Sequence, residues 1–284
     1  MNTTPDRRLN AYRPDLAEAA LRGVVDAKRY VEGRPASISV PAAALRPRPD
    51  AACGIDTEVI FGETVQVFER TAGWAWVKAD LDGYVGYLPE DCLTEQTMPA
   101  THMVCVPRTF AYSGADLKTP VAFPLSIGSR LRVIGESETR GTCYLSLAGG
   151  QSVVAAHCRP VDALATGDYV EVAARLLETP YLWGGRTGFG IDCSGLVQLA
   201  MMMTGRQVPR DSDMQAAGLG DPIVRKELRR GDLVFWKGHI AIMEDEQTIL
   251  HANGHTMSVA RERLADAIER IGWLYQQPTG YRRP

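Results

Sequence analysis

The sequence predicts an α+β domain preceded by two small all-β barrels. Three observations carry that expectation. From about residue 44 to 94, short runs of alternating apolar and polar residues are broken by glycine-containing turns, as in a small antiparallel barrel. A weaker version of the same text follows from about residue 103 to 161. After Pro160 the period changes to that of helices, and then to three successive strand-like runs.

At 284 residues the chain exceeds the roughly 100 to 200 of a single domain. Division into 1–98, 99–162 and 163–284 suits the changes of pattern. Within residues 1–40 the spacing of Leu16, Ala19, Ala20 and Val24 predicts a short amphipathic helix leading into the first barrel. Strands are then expected at 57–61, 64–68, 74–77 and 84–88, with turns at Gly62-Glu63, Ala72-Gly73 and Asp82-Gly83. In the second barrel the runs 130–134 and 142–147 read as strands, and Gly128-Ser129 and Gly149-Gly150 as turns.

In the third domain 169–177 reads as a helix, with Val170, Ala173, Ala174 and Leu177 at helical spacing. A glycine-rich loop at 184–190 runs into an apolar helix at 193–204, which Gly205 is placed to cap. Cys193 stands at that helix's start. Strands 232–236 and 239–243 flank Lys237-Gly238, a two-residue hairpin connection, and 248–252 reads as a third strand. Both His239 and His251 therefore lie on strands that follow one prominent helix.

Composition excludes several classes. The hydrophobic content of 45%, charged content of 23% and net charge of -3 give no electrostatic reason to expect nucleic acid. Asp6, Arg7, Arg8, Arg13, Asp15 and Glu18 interrupt the first twenty residues, and no later run reaches the ~18 apolar residues of a membrane helix. A cytoplasmic protein without a membrane partner is expected. Six cysteines at 53, 92, 105, 143, 158 and 193 form no Cys-x-x-Cys pair, which argues against structural zinc. In a reducing compartment most should be buried thiols, although an even count also permits three disulfides in a secreted protein. Asp168, Asp211 and Asp213 form no ligand cluster with the histidines, and residues 184–190 lack the Lys-Ser/Thr ending of a phosphate loop. Neither metal nor cofactor is expected. Met201, Met202 and Met203 read as core filling. Oligomeric state leaves no signal.

A thiol attacks as thiolate, and a helix start together with an imidazolium lowers its pKa from about 8.5 to between about 3.5 and 7.5. Cys193 is placed to have the first, and His239 to act as base and then as acid toward a leaving amine. His251, on the next strand, is the natural third group to orient the ring. The Cys193 N–H and a neighbouring donor are candidates for an oxyanion hole.

The Asp192-Cys193-Ser194-Gly195 text resembles the NlpC-type family of papain-like cysteine peptidases. So do Gly231-Asp232-Leu233-Val234-Phe235, Gly238-His239-Ile240-Ala241-Ile242 and Ile249-Leu250-His251-Ala252. The resemblance runs from about residue 164 to 281. It implies a papain-like α+β fold with Cys193 as nucleophile, His239 as base and His251 as orienting residue. His102, His157 and His255 fall outside the motifs, and His255 is the nearest competitor to His251. The segments Gly62-Glu63-Thr64-Val65-Gln66-Val67, Gly73-Trp74-Ala75-Trp76-Val77 and Gly83-Tyr84-Val85-Gly86-Tyr87-Leu88-Pro89 resemble bacterial SH3-like domains, and the second barrel looks like a diverged relative.

Two SH3-like barrels joined to this domain are similar to γ-D-glutamyl-L-diamino-acid endopeptidases. That resemblance implies murein-derived peptides with a free N-terminal L-Ala as substrates, in cell-wall peptide recycling. A free amine asks for a carboxylate, and Asp192 suits that task, N-capping of the following helix, or both. Tyr181, Ser194 and Ser212 match substrate contacts of the group, while Tyr181 and Trp183 also suit ordinary packing. Glu63 and Tyr84 match first-barrel residues that close the amine end, with Glu58 competing for the acidic place. Diaminopimelate and lysine both remain open as the residue after the scissile bond. So do a non-catalytic wall-binding protein and an amidase or acyltransferase on the same thiol framework.

Overall fold

The computed structural model describes residues 4–163 and 167–284. Residue 164, where the family resemblance begins, lies outside the described residues. The chain divides into two compact units, Met1–Val161 and Asp162–Pro284.

The first unit is built of strands, and two of its apolar clusters organise most of them. One gathers Ile38, Leu45, Val65, Val77 and Leu88. It draws on a five-stranded sheet in the order Val85–Pro89, Trp74–Ala79, Thr64–Thr71, Arg34–Ile38, Leu93–Thr94, and on the pair Ala42–Leu45 and Thr57–Ile60. Val65 and Val67 are buried while Thr64 and Gln66 are half-buried, the two-residue period on which the strand expectation rested. The other cluster gathers Val104, Ala111, Leu125, Leu131, Leu145 and Val153. Strand Thr142–Leu147 has its expected bounds. The run 130–134 instead divides into Arg130–Leu131 and Val133–Thr139, because Leu131 pairs with His102 in one sheet and Val133 with Leu147 in another. Gly62 ties the two halves of this unit together. Its φ is +78°, and a Cβ there would come within 1.9 Å of the Arg130 carbonyl oxygen.

The amphipathic helix expected within residues 1–40 does not form among the described residues. Strand Leu16–Glu18 pairs in parallel with Arg29–Val31, and a single 3₁₀ turn follows at Ala19–Leu21. Leu16 and Ala17 are both buried, but in different apolar clusters, which suits an extended chain covered on both sides.

Among the described residues the second unit carries four α-helices: α1 (Tyr169–Ala174), α2 (Cys193–Met202), α3 (Ser212–Gly218) and α4 (Leu264–Leu274). Helix α1 ends before the expected residue 177, and Glu178 turns the chain with φ +63°. Helix α2 closes in a turn that ends at Gly205, φ +84°, the cap position the sequence suggests. A six-stranded antiparallel sheet runs in the order Asp221–Ile223, Gly280–Arg283, Leu233–Trp236, His239–Met243, Thr248–Asn253, Ser258–Arg263. All four residues of Leu233–Trp236 are buried, as expected where both faces of a sheet are covered. Helix α4 lays Leu264, Ala267, Ile268 and Ile271 against Val234, Ala241, Met243 and Ile249. Helix α2 packs against the His239 and Thr248 strands, with Met201 and Met203 buried. Gly238, φ +75°, makes the tight turn that sets Trp236 opposite His239.

The six cysteines are free, and only Cys53 and Cys193 are buried; Cys143 is exposed. The expectation that most would be buried fails because the others lie near strand ends and sheet margins. Among the described residues no helix is long and apolar enough to cross a membrane.

Candidate active site

Asp192 caps α2 and leaves Cys193 as the helix's first residue. The Asp192 side chain accepts the Gly195 N–H at 2.7 Å, filling one of the donors that a helix start leaves open. Position 195 must be glycine here, since a Cβ would stand 2.4 Å from the Gly185 carbonyl oxygen. The Asp-Cys-Ser-Gly text is thus a cap, a first-turn thiol and a close approach to the glycine-rich loop. Cys193 is buried, and the backbone N–H groups of Ile240 and Ser194 reach its sulfur. Ile240 follows His239, so the helix start and the His239 strand meet at the thiol.

Burial governs the charge state of both groups. It pushes the Cys193 thiol up to about 12, with the Asp192 charge adding to the shift and the Ile240 N–H and Arg210 opposing it. Burial likewise pulls the His239 imidazole down to about 3, aided by His251 and Arg270 and opposed by Glu262. The sequence predicted a thiol lowered by the helix start. The shift runs the other way because desolvation outweighs the amide dipoles and the cap beside the thiol is itself negative. Both shifts favour the uncharged forms of the two groups.

Behind His239, itself half-buried, lies a chain of polar groups: the buried His251 and the half-buried Glu262 and Arg270. His239 Nε2 is 3.0 Å from His251 Nδ1, and His251 is 1% exposed. His251 Nε2 stands 3.2 Å from Glu262 Oε2, an ion-pair distance rather than a straight hydrogen bond. Arg270 grips Glu262 with two contacts, Nε to Oε1 at 3.0 Å and Nη2 to Oε2 at 2.5 Å. Burial raises the Glu262 carboxyl, but its partners His251 and Arg270 prevail and hold it at about 2. His251 faces Ala260 across the strand pair and Ile249 faces Glu262, so His251 and Glu262 are diagonal neighbours on one face. Sequence reasoning missed Glu262 and Arg270, which lie outside every quoted motif. Alternation along 258–263 is the one signal that would have placed Glu262 on the His251 face.

Asp192 is also the counter-ion of a buried arginine the sequence did not single out. Arg210, 1% exposed, donates through Nη1 to Asp192 Oδ1 at 2.9 Å and through Nη2 to Oδ2 at 2.7 Å. It also reaches Ser194 Oγ at 2.9 Å and the Gly185 carbonyl at 3.2 Å. Gly184 N–H donates to Asp192 Oδ2 at 3.0 Å. Of the two tasks considered for Asp192, capping is thus visible in the geometry. Gln215 on α3, buried, donates to the Ser194 carbonyl at 3.1 Å and holds α3 to the start of α2. Ser212 opens α3 and is half-buried. The half-buried Tyr181 has its phenol pKa raised by burial and then by the nearby Cys193 and Asp192 charges. Trp183 is 70% exposed, so ordinary packing does not explain it. His255 sits exposed on the turn after the His251 strand.

Glu63 and Tyr84 belong to the first unit and the other named residues to the second. Glu63 is buried and accepts the Ile60 N–H at 2.9 Å, while Glu58 is half-buried on its strand. Tyr84 is buried, and its N–H donates to Asp82 at 3.0 Å. No group of three or more His, Cys, Asp or Glu among the described residues is arranged to hold a metal ion.

Residues 178–270 match the NlpC/P60 family, and residues 45–93 match the bacterial dipeptidyl-peptidase Sh3 domain. A gamma-D-glutamyl-L-lysine dipeptidyl-peptidase of Bacillus subtilis is 32% identical over 201 residues, which cover 64% of this chain and 64% of that protein. Dipeptidyl-peptidase 6 of Lysinibacillus sphaericus is 26% identical over 262 residues, covering 81% of this chain and 96% of its own. The match thus spans just under two thirds of the first relative and nearly all of the second. The crystal structure of an NlpC/P60 family protein from Bacillus cereus shares the fold, with a TM-score of 0.73 at 23% identity over 88% of this chain and 99% of that one. The second unit thus belongs to the NlpC/P60 family, joined in the same chain to a bacterial dipeptidyl-peptidase SH3 domain.

Proposed function

We propose that the protein is a cysteine peptidase that hydrolyses the γ-D-glutamyl bond to an L-diamino acid in freed murein peptides with an N-terminal L-Ala. The observation that carries this reading is the line of His239 and His251, led by the strand whose Ile240 N–H reaches the thiol at the first residue of α2. The names of the matched relatives, dipeptidyl-peptidases of which one is specified as gamma-D-glutamyl-L-lysine, support the bond class.

In this reading His239 takes the Cys193 proton as the sulfur attacks the γ-carbonyl carbon. The resulting oxyanion is met by N–H groups at the start of α2. Collapse breaks the C–N bond, and His239 returns the proton to the departing amine of the diamino acid. Water, deprotonated by His239, then attacks the thioester carbon; the C–S bond breaks, L-Ala-D-Glu is freed, and His239 returns the proton to the Cys193 sulfur. A neutral resting pair suits this sequence, because charge separates only once the substrate carbonyl is in place to use it. Asp192, sharing its carboxylate with Arg210, together with Tyr181, Ser194, Ser212, Glu63 and Tyr84, is assigned to the amine end of the peptide. The reading includes a second, diverged SH3-like barrel at 99–162 and a cytoplasmic recycling role.

The test is incubation with L-Ala-γ-D-Glu-diaminopimelate and its lysine counterpart, each with a free or acetylated amine, followed by release of the diamino acid. Release from the free-amine peptide and its loss in Cys193→Ala are expected. No release from any free-amine peptide would discard the bond assignment. Equal release from acetylated peptide would discard the amine-end assignment alone.

A further inference from the structure

The hydrogen positions along the histidine line follow from what stands at its far end. His251 is 1% exposed, and its Nε2 makes no hydrogen bond among the described residues; the Glu262 carboxylate stands beside it, with Oε2 at an ion-pair distance of 3.2 Å. An ionised carboxylate only accepts, and the two-contact grip of Arg270 keeps Glu262 ionised. That adjacent negative charge favours the His251 hydrogen on Nε2, which would leave Nδ1 bare. A bare Nδ1 at 3.0 Å from His239 Nε2 can only accept, so the His239 hydrogen sits on Nε2. That leaves Nδ1 as the one basic nitrogen of His239.

We propose that Glu262 is a positioning residue that sets the direction of both histidine rings, so that His239 can receive a proton only at Nδ1. The inference rests on the reading that His239 is the base for Cys193, since Nε2 is committed to His251 and only Nδ1 remains for the thiol. In the opposite arrangement a bare His251 Nε2 would face the carboxylate, lone pair against charge, with His251 itself buried. The His239 hydrogen would then occupy Nδ1, where no thiol proton could be accepted. The carboxylate acts at a second level: once His239 is protonated, the positive charge is balanced through His251 by Glu262. Arg270 prevents the reverse transfer by holding the Glu262 carboxyl well below the range in which it would take a proton from His251.

The experiment compares the full chain with Glu262→Met and with the double variant Glu262→Met, Arg270→Met. The double variant removes both charges together and so leaves neither partner uncompensated. Long-range ¹H–¹⁵N NMR of histidine-labelled protein above pH 7 reads the tautomers directly, and L-Ala-γ-D-Glu-lysine hydrolysis gives kcat and KM. Expected are Nε2–H forms of His239 and His251 in the unaltered chain. In both variants the Nδ1–H form of His251 should appear, and kcat should fall on the order of 10- to 100-fold with KM nearly unchanged. Unchanged tautomers in the folded double variant, or kcat within about twofold of the parent, overturn the role of Glu262. So does an Nδ1–H His239 in the parent. Activity that survives Cys193→Ala or His239→Ala would instead overturn the peptidase reading, and the two failures are separable.

Discussion

Arg210 and Asp192 lie eighteen positions apart and form a two-pronged ion pair, with contacts of 2.7 and 2.9 Å, at the start of the helix that carries Cys193. Asp192 simultaneously caps that helix and receives the Gly184 N–H, so one carboxylate joins the glycine-rich loop, α2 and the segment before α3. Removing the guanidinium would leave a buried, uncompensated charge. Arg210→Met should lower unfolding free energy by about 3–5 kcal/mol, measured by urea denaturation. A loss below about 1 kcal/mol would show that Asp192 is held by its backbone donors alone.

The resting charge state of the thiol is directly measurable. With burial holding Cys193 up at about 12, its alkylation by iodoacetamide in substrate-free protein should rise about tenfold per pH unit from pH 6 to 9, followed by peptide mass mapping. A plateau beginning below pH 7 would instead reveal a resting thiolate–imidazolium pair.

His239 also links stability to pH. Its folded value, lowered to about 3, lies below the roughly 6.5 of an unfolded histidine. Between those values the unfolded chain binds a proton that the folded protein refuses, so stability rises with pH across that window and is lost on acidification. His239→Gln should flatten the dependence of unfolding free energy on pH between about 3 and 6.5. An unaltered slope would mean that other groups set it.

Glycine at 195 is a steric requirement. Gly195→Ala brings a Cβ to 2.4 Å from the Gly185 carbonyl, so the helix start must shift, at a cost of about 1–3 kcal/mol and with loss of hydrolysis. Gly218→Ala, whose Cβ would meet nothing within 4 Å, is the matched control and should leave stability within about 0.5 kcal/mol. Equal effects of the two substitutions would refute the packing argument.

Local pattern carried much of this protein. Alternation placed the strands around Val65, Val77 and Leu145, and the hairpin at Lys237-Gly238 followed from turn chemistry. The position of Cys193 at a helix start, and of His239 and His251 on adjoining strands, was legible because helix and strand periods are properties of neighbouring residues. The same local reading failed at Leu16, where a helical spacing proved to be an extended segment buried on two sides.

Other features depended on residues far apart in sequence. Arg210 meets Asp192, and Glu262 and Arg270 meet His251, through packing that no period encodes. The direction of the Cys193 shift reversed for the same reason: a helix start is a local electrostatic fact, whereas desolvation depends on everything that covers the thiol. Sequence alone therefore determined which thiol and which histidines stand on which elements. Tertiary structure decided what charges they bear and which buried partners orient them, because burial and long-range pairing exist only once the chain has closed around them.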